Sequence, residues 1–252
     1  MSWQGLAIGL AAGVFGGVGG LGGGVVMVPL LGLWLGLPQH RAHGTSLVAV
    51  VVVGLVGVIP YAMQGAVALR LAVALAAASI VGSSLAAGLS PRVPARALRR
   101  VFGILLIATG ASLPFDLLLP AHGIVAAWAL PAGLATGLVA GAVAGLLGVG
   151  GGSVMVPMLV LLFGFGQHVA QGTSLAVMVP AALAGSVQHV RHRHVEASVA
   201  PALAIGVAAG AYLGGRAALA LPDQTLRWLF AALLLSTGVR YVWTSRPRPG
   251  VH

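Results

Sequence analysis

Residues 20–47 read GLGGGVVMVPLLGLWLGLPQHRAHGTSL, and residues 148–175 read GVGGGSVMVPMLVLLFGFGQHVAQGTSL. The offset is 128 with no gap, and 18 of 28 positions are identical. Further out, the same offset pairs Gly13 with Gly141, Gly57 with Gly185, Gly82 with Gly210, Pro94 with Pro222 and Gly110 with Gly238. Chance similarity between apolar stretches would match aliphatic residues, but here Gly, Pro, Gln, His, Thr and Ser match as well. The chain is therefore two copies of one unit, 1–120 and 121–252, and its fold must be built twice.

The unit is apolar. Over 252 residues the chain is 59% hydrophobic and 6% charged, whereas soluble domains carry roughly 25% charged residues. No charged shell can be assembled from so few, which excludes a soluble enzyme and predicts an all-α polytopic membrane protein. Each half divides into four apolar segments: near 4–36, 43–64, 67–90 and 96–119, then near 123–165, 171–190, 196–219 and 223–243. Most have the length of one helical crossing. The first of each half does not: at 1.5 Å per residue it would run about 50 Å, against about 30 Å of hydrocarbon. Both long segments contain a glycine triplet, Gly22 to Gly24 or Gly150 to Gly152. Three consecutive glycines oppose a continuous helix, so each long segment is read as two helical pieces joined by a turn. Pro29 and Pro157, five residues beyond, are read as structural helix breaks.

The basic residues are thirteen Arg with no Lys, and the acids are Asp116, Glu196 and Asp223. A net charge of +10 would suggest nucleic acid in a soluble protein. Arg in short loops between apolar runs instead reads as a topological signal, so no nucleic-acid partner is expected. If each broken segment crosses once, six Arg fall on one side and seven on the other. If each is a re-entrant hairpin, ten fall on one side and only Arg70, Arg216 and Arg227 on the other. The second count matches the positive-inside rule. A hairpin plus three crossings is an odd number, so the two repeats would be inverted, with both termini cytoplasmic. Such repeats place a site where broken helices meet near the midplane. Met1 to Gly5 lack a basic start, so a cleaved signal peptide is not expected.

The glycine turns are the first candidate site. A helix that starts after such a turn presents free N–H groups and a positive dipole end, and binds anions without a charged side chain. The positions are Gly22, Gly23, Gly24 and Val25 in one copy, and Gly150, Gly151, Gly152 and Ser153 in the other. The plainer reading is that glycine only allows close helix packing. Thr45 and Ser46, repeated as Thr173 and Ser174, could donate to an oxyanion or bond back to their own helix. Gln39 and His40, repeated as Gln167 and His168, end the long segments. They are read as caps and interface anchors, with a gate as the alternative. The stretch 189–194 holds three His but alternates them with Arg, which repels a metal cation, so no metal is expected. Arg92, Arg96, Arg99 and Arg100 suit topology and anionic lipid headgroups. The spaced glycines Gly133, Gly137, Gly141 and Gly145, and Gly206, Gly210 and Gly214, are packing faces. No acid falls in mid-span, so proton coupling through a buried carboxylate is disfavoured. With no Cys and no Lys, nucleophilic catalysis has no evident residues, and neither an enzyme nor a cofactor is expected.

The duplicated pattern GLGGGVVMVP at 20–29 and GVGGGSVMVP at 148–157, each followed by Gly-Thr-Ser-Leu, resembles the sulfite exporter TauE/SafE family of membrane transporters over nearly the whole chain. The resemblance implies an inner-membrane carrier of small, often sulfur-containing anions such as sulfite or organosulfonates. It places the motif on Gly22 to Gly24, Pro29, Thr45 and Ser46, and on Gly150 to Gly152, Pro157, Thr173 and Ser174. Val25 faces Ser153 across the repeat, and His43 faces Gln171, so the halves are unequal. The expected partners are the anion and membrane lipids, and the expected mechanism is alternating access. The alternatives are an anion channel, which would show flux without saturation, and a membrane protein that moves no solute.

Overall fold

The computed structural model describes residues 3–89, 95–113, 126–147, 151–191 and 195–244. They form ten helices: α1 (Trp3–Gly19), α2 (Gly24–Trp34), α3 (Gln39–Met63), α4 (Leu69–Leu89), α5 (Ala95–Ser112), α6 (Ala126–Leu147), α7 (Gly152–Leu161), α8 (Gln167–Arg191), α9 (Ala200–Leu219) and α10 (Asp223–Thr244). Each half supplies five. The long first segments are broken as expected, α1 from α2 and α6 from α7. The break lies at the glycines. Gly23 and Gly151 take up left-handed backbone, with φ of 70° and 72°, directly before α2 and α7; an L side chain resists that conformation.

Pro29 and Pro157 do not break the helices, contrary to the sequence reading. They sit inside α2 and α7, where each ring removes one N–H and frees the carbonyl four residues back, at Val25 and Ser153. The Gln-His pairs also differ in place. They open α3 and α8 rather than closing the segments before them. Pro38 precedes α3 in extended backbone (φ −55°, ψ 146°), which suits the residue before a helix start. Asp116 and residues 192–194 lie outside the described residues, as does Gly150.

Four helices contain stretches long and apolar enough to cross a membrane: Arg41–Met63, Leu69–Ala86, Gln167–Arg191 and Ala200–Leu219. The outer surface is apolar, with Leu33, Leu69, Val73, Leu85 and Leu213 exposed. Trp3, Trp34, Trp128 and Trp243 are exposed at or near helix ends, where indole rings favour the boundary between lipid and water. The chain is a multi-pass membrane protein.

The packing follows the repeat. α1 lies on α9 and α6 lies on α4, so each half's first helix packs on the other half's fourth. α3 pairs with α8 and α5 with α10. Glycines permit the closest crossings. On α1, Gly9 abuts Leu203, Gly13 abuts Val207 and Gly17 abuts Ala211, so α1 and α9 run parallel. A Cβ at Gly141 would strike the Ser79 carbonyl, and one at Gly137 would lie 2.6 Å from that of Leu75, which makes α6 parallel to α4. α3 and α8 run antiparallel: Gly54 meets Leu175, Gly185 meets Leu47, and Gly172 meets Tyr61. The glycine faces read from the sequence are packing faces, and a methyl group at most of them would meet backbone.

Candidate functional site

The two glycine turns meet. A Cβ on Gly152 would collide with the Gly20 carbonyl and lie 3.0 Å from both Leu21 Cα and Met178 Sδ. A Cβ on Gly22 would strike Met178 Cε and approach Val50 at 3.1 Å. Val50 and Met178 are equivalent across the repeat and lie at the middle of α3 and α8. The junction is therefore at mid-height, with the N-terminal ends of α2 and α7 beside it. Val26 and Met27 are the first residues of α2 whose N–H reaches Gly23 O, and Val154 and Met155 do the same on Gly151 O. The N–H groups before them belong to the set every helix start leaves without an intrahelical partner.

Ser174 and Ser153 bring hydroxyls to the junction. Ser174 is fully buried and donates to the Gly20 carbonyl at 2.9 Å, tying α8 to the first turn. Ser46 and Ser153 are buried, and neither hydroxyl has a hydrogen-bond partner. A buried polar group without a partner is costly and calls for a reason. The Thr of each Gly-Thr-Ser does something else. Thr173 Oγ1 accepts from Ala68 N at 2.9 Å, and Thr45 Oγ1 accepts from Glu196 N at 2.9 Å. Ala68 and Glu196 are themselves equivalent across the repeat. Each Thr thus holds the loop between third and fourth helices of the opposite half.

Two further residues join the site that motif reading did not single out as binding groups. Met178 touches both turns. Tyr61, fully buried, places its hydroxyl 2.8 Å from Gly17 O and 3.0 Å from the Gln171 side-chain amide. One hydroxyl proton is divided between the two acceptors. The shorter contact, to Gly17 O, takes the larger share of that proton, and Gln171 Oε1 accepts the weaker one, which leaves Gln171 Nε2 unpaired. The available signal was a polar ring inside an apolar helix with no copy in the second half, where His189 stands.

The Sulfite exporter TauE/SafE family pattern matches residues 5–241. The chain belongs to this family. Similar proteins include "Probable membrane transporter protein YunE" of Bacillus subtilis (strain 168), 29% identical over 94% of this chain and 96% of the relative. A "Probable membrane transporter protein" of Xylella fastidiosa (strain 9a5c) is 28% identical over 94% of this chain and 92% of its own. YjnA of Bacillus subtilis, under the same description, is 26% identical over 96% and 100%. No solved structure matches the chain. The chain is a membrane transporter of the TauE/SafE family, and the family and these relatives are named as transporters, not enzymes.

In this TauE/SafE chain the described acids lie outside the helix interiors: Glu196 in the loop before α9, and Asp223 at the start of α10. Asp223, first in α10, accepts from Gln167 N at 2.6 Å and from Arg227 Nε at 3.1 Å. It thereby caps α8, whose positive end favours a carboxylate. His168 Nε2 lies 3.1 Å from the Ala218 carbonyl, with Nδ1 3.6 Å from Asp223. A carbonyl only accepts, so Nε2 carries the proton. Arg41 Nη1 donates to Glu196 at 3.0 Å, and Ser198 donates to it at 2.8 Å. Those hydrogen bonds, Ser198 first and then Arg41, hold the Glu196 carboxyl below its ordinary pKa. Of the predicted gate residues, Gln39 and His40 occupy the first turn of α3. Gln167 and His168 are the second-half pair tied to α10 and α9.

Proposed function

We propose that this chain is a secondary transporter of a small oxyanion, of the sulfur-containing class its family name suggests, working by alternating access in the cell inner membrane. The observation that carries the reading is the junction of the two glycine turns at mid-height. There two helix N-termini and the buried, unpaired hydroxyl of Ser153 lie together, with no described acid beside them. An oxyanion has acceptors only, and N–H and O–H donors can replace its water shell. Gly22, Gly23, Gly24 and Val25 on one side, and Gly151, Gly152 and Ser153 on the other, would form the cradle. Ser174 ties α8 to the first turn, and the two Thr tie α3 and α8 to loops of the opposite half.

The same reading makes the repeats inverted and the broken segments re-entrant. α3 and α8 are equivalent and antiparallel, which favours inversion. α1 and α3 both run parallel to α9: on α3, Gly57 lies by Ala211, and Pro60 and Tyr61 lie by Gly215. α2 would then return the chain to the face from which α1 left, and the Arg bias would place both termini in the cytoplasm.

The test is flux into proteoliposomes holding purified protein, with sulfite, a short sulfonate, thiosulfate and sulfate offered in turn, with and without a proton gradient. Saturable uptake of one of them, with counterflow, is the expected result. Flux that never saturates would favour a channel. No movement of any of the four by folded protein would refute the substrate class.

A further inference from the structure

One face of α8 runs from the end of the molecule to the junction. Gln167, Gln171, Ser174 and Met178 recur at helical spacing; Ser174 and Met178 already touch the glycine turns, and Gln171 packs against Gly20. Gln167 and Gln171 are both fully buried. Neither polar atom of the Gln167 amide has a hydrogen-bond partner, and Gln171 Nε2 has none either. Two glutamines buried in an apolar bundle, one turn apart and with three amide atoms unpaired, are not what packing selects; a Met would fill the space without the desolvation cost. Gln171 also lines a cavity of about 30 Å³ between the end of α1 and α10, with Val18, Leu226 and Phe230 among its apolar walls. That is space for a couple of waters, too small for an oxyanion with four heavy atoms. The α10 wall is fastened to α8 at its first residue, where Asp223 accepts from Gln167 N. Because Asp223 occupies the α8 helix end, an arriving anion would find the carboxamides, not the helix terminus, as its donors.

We propose that Gln167 and Gln171 form an oxyanion subsite in the half of the translocation path on the α8 side, closed in this structure by the Asp223 tie of α10. Their N–H₂ groups take oxygens of the anion on its way to or from the glycine junction. The neutral amides hold it without trapping it as a cationic side chain would. This rests on the transporter reading above, so its test has one arm that needs no substrate.

The chain has no Cys, so a Cys introduced at Gln171 reports access to the path. Purified Gln171→Cys protein in proteoliposomes is treated with a small membrane-impermeant methanethiosulfonate. Slow labelling is expected, accelerating roughly tenfold or more when Asp223→Asn weakens the tie. A rate that Asp223→Asn leaves unchanged, in protein that elutes as a single folded species, overturns the closure. The second arm is Gln167→Met. If the amide serves the substrate, thermal stability stays level or rises while saturable sulfite flux falls roughly tenfold or more. A fall in stability with flux per folded molecule retained assigns Gln167 to structure and overturns the subsite. Altered labelling with no sulfite flux even in the wild type would sink the substrate class but leave the path in place.

Discussion

Replacing Gly152 by Ala adds one methyl group at the contact between the two halves. Its Cβ would overlap the Gly20 carbonyl and lie 3.0 Å from Leu21 Cα and Met178 Sδ. The first two partners are backbone, so no rotamer relieves them; only Met178 can swing away. Inserting a methyl into packed surroundings costs about 1–3 kcal/mol. The gain in helix propensity, about 1 kcal/mol in a helix interior, is smaller at the first residue of α7. The net cost is then about 1–2 kcal/mol, which lowers the melting temperature by roughly 2–8 °C for a chain of this size. Gly32→Ala is the control, since its Cβ meets nothing nearer than 3.9 Å and it lies within α2. That substitution should be neutral or stabilising by up to about 1 kcal/mol. Both are read by thermal unfolding in detergent, followed by Trp fluorescence, together with proteoliposome flux. Gly152→Ala is expected to lose more flux than its stability loss explains, because it pushes the two turns apart. Equal melting temperatures for the two variants, with Gly152→Ala transporting normally, would refute the contact and the junction argued from it.

Three other substitutions or conditions separate the remaining contacts. Tyr61→Phe strips a partner from the Gly17 carbonyl and from the Gln171 amide, and should cost about 1–3 kcal/mol in the same melt; a loss near zero would mean the hydroxyl is not buried as seen. Asp223→Ala removes the cap of α8 and the Arg227 contact, and should cost about 1 kcal/mol, with hydrogen exchange at the Gln167 amide quickening; unchanged exchange would deny the cap. The Glu196 pKa is depressed in the folded protein, so its contribution is present above the unfolded value, near pH 4, and is lost as pH falls through the folded value. Exchange at the Glu196 amide should therefore stay protected through pH 5 and open only below the ordinary carboxylate range; opening above it would contradict the Arg41 and Ser198 contacts.

The duplicated turn was legible because glycine triplets in an apolar run admit few structures, and repetition removes chance. Helix pairing was partly legible: glycines every fourth residue announce a close crossing, but not the partner. That Gly9, Gly13 and Gly17 meet α9 of the other half depends on long-range packing that carries no local pattern. The proline expectation failed for a definable reason. Three glycines had already reset the chain at Gly23 and Gly151, so Pro29 and Pro157 fall in the second turn of new helices, where the loss of one N–H is tolerated. The Thr hydroxyls show the limit of motif reading. Gly-Thr-Ser marks a polar spot in a helix, but only the fold reveals that Thr45 and Thr173 reach across to Glu196 and Ala68, whereas Ser174 reaches the turn.

The inequality of the halves has a spatial meaning. Glu196 stands where the first copy has Ala68, and Asp223 where it has Ala95. Both acids therefore arose in, or were kept by, one copy only. Each fastens a different end of the bundle: Glu196 joins the start of α3 through Arg41, and Asp223 caps the start of α8. Because α3 and α8 run antiparallel, those starts lie at opposite ends. One half thus supplies a charged tie to each end, and the centre between them is furnished with hydroxyls, amides and helix termini. Among the described residues no carboxylate approaches the glycine junction. Negative charge placed there would repel an oxyanion directly, with little solvent to screen it, whereas at the ends it is neutralised by Arg41 and Arg227. Under the proposed function, the distribution that ties the two ends is the same one that would leave the middle to an anion.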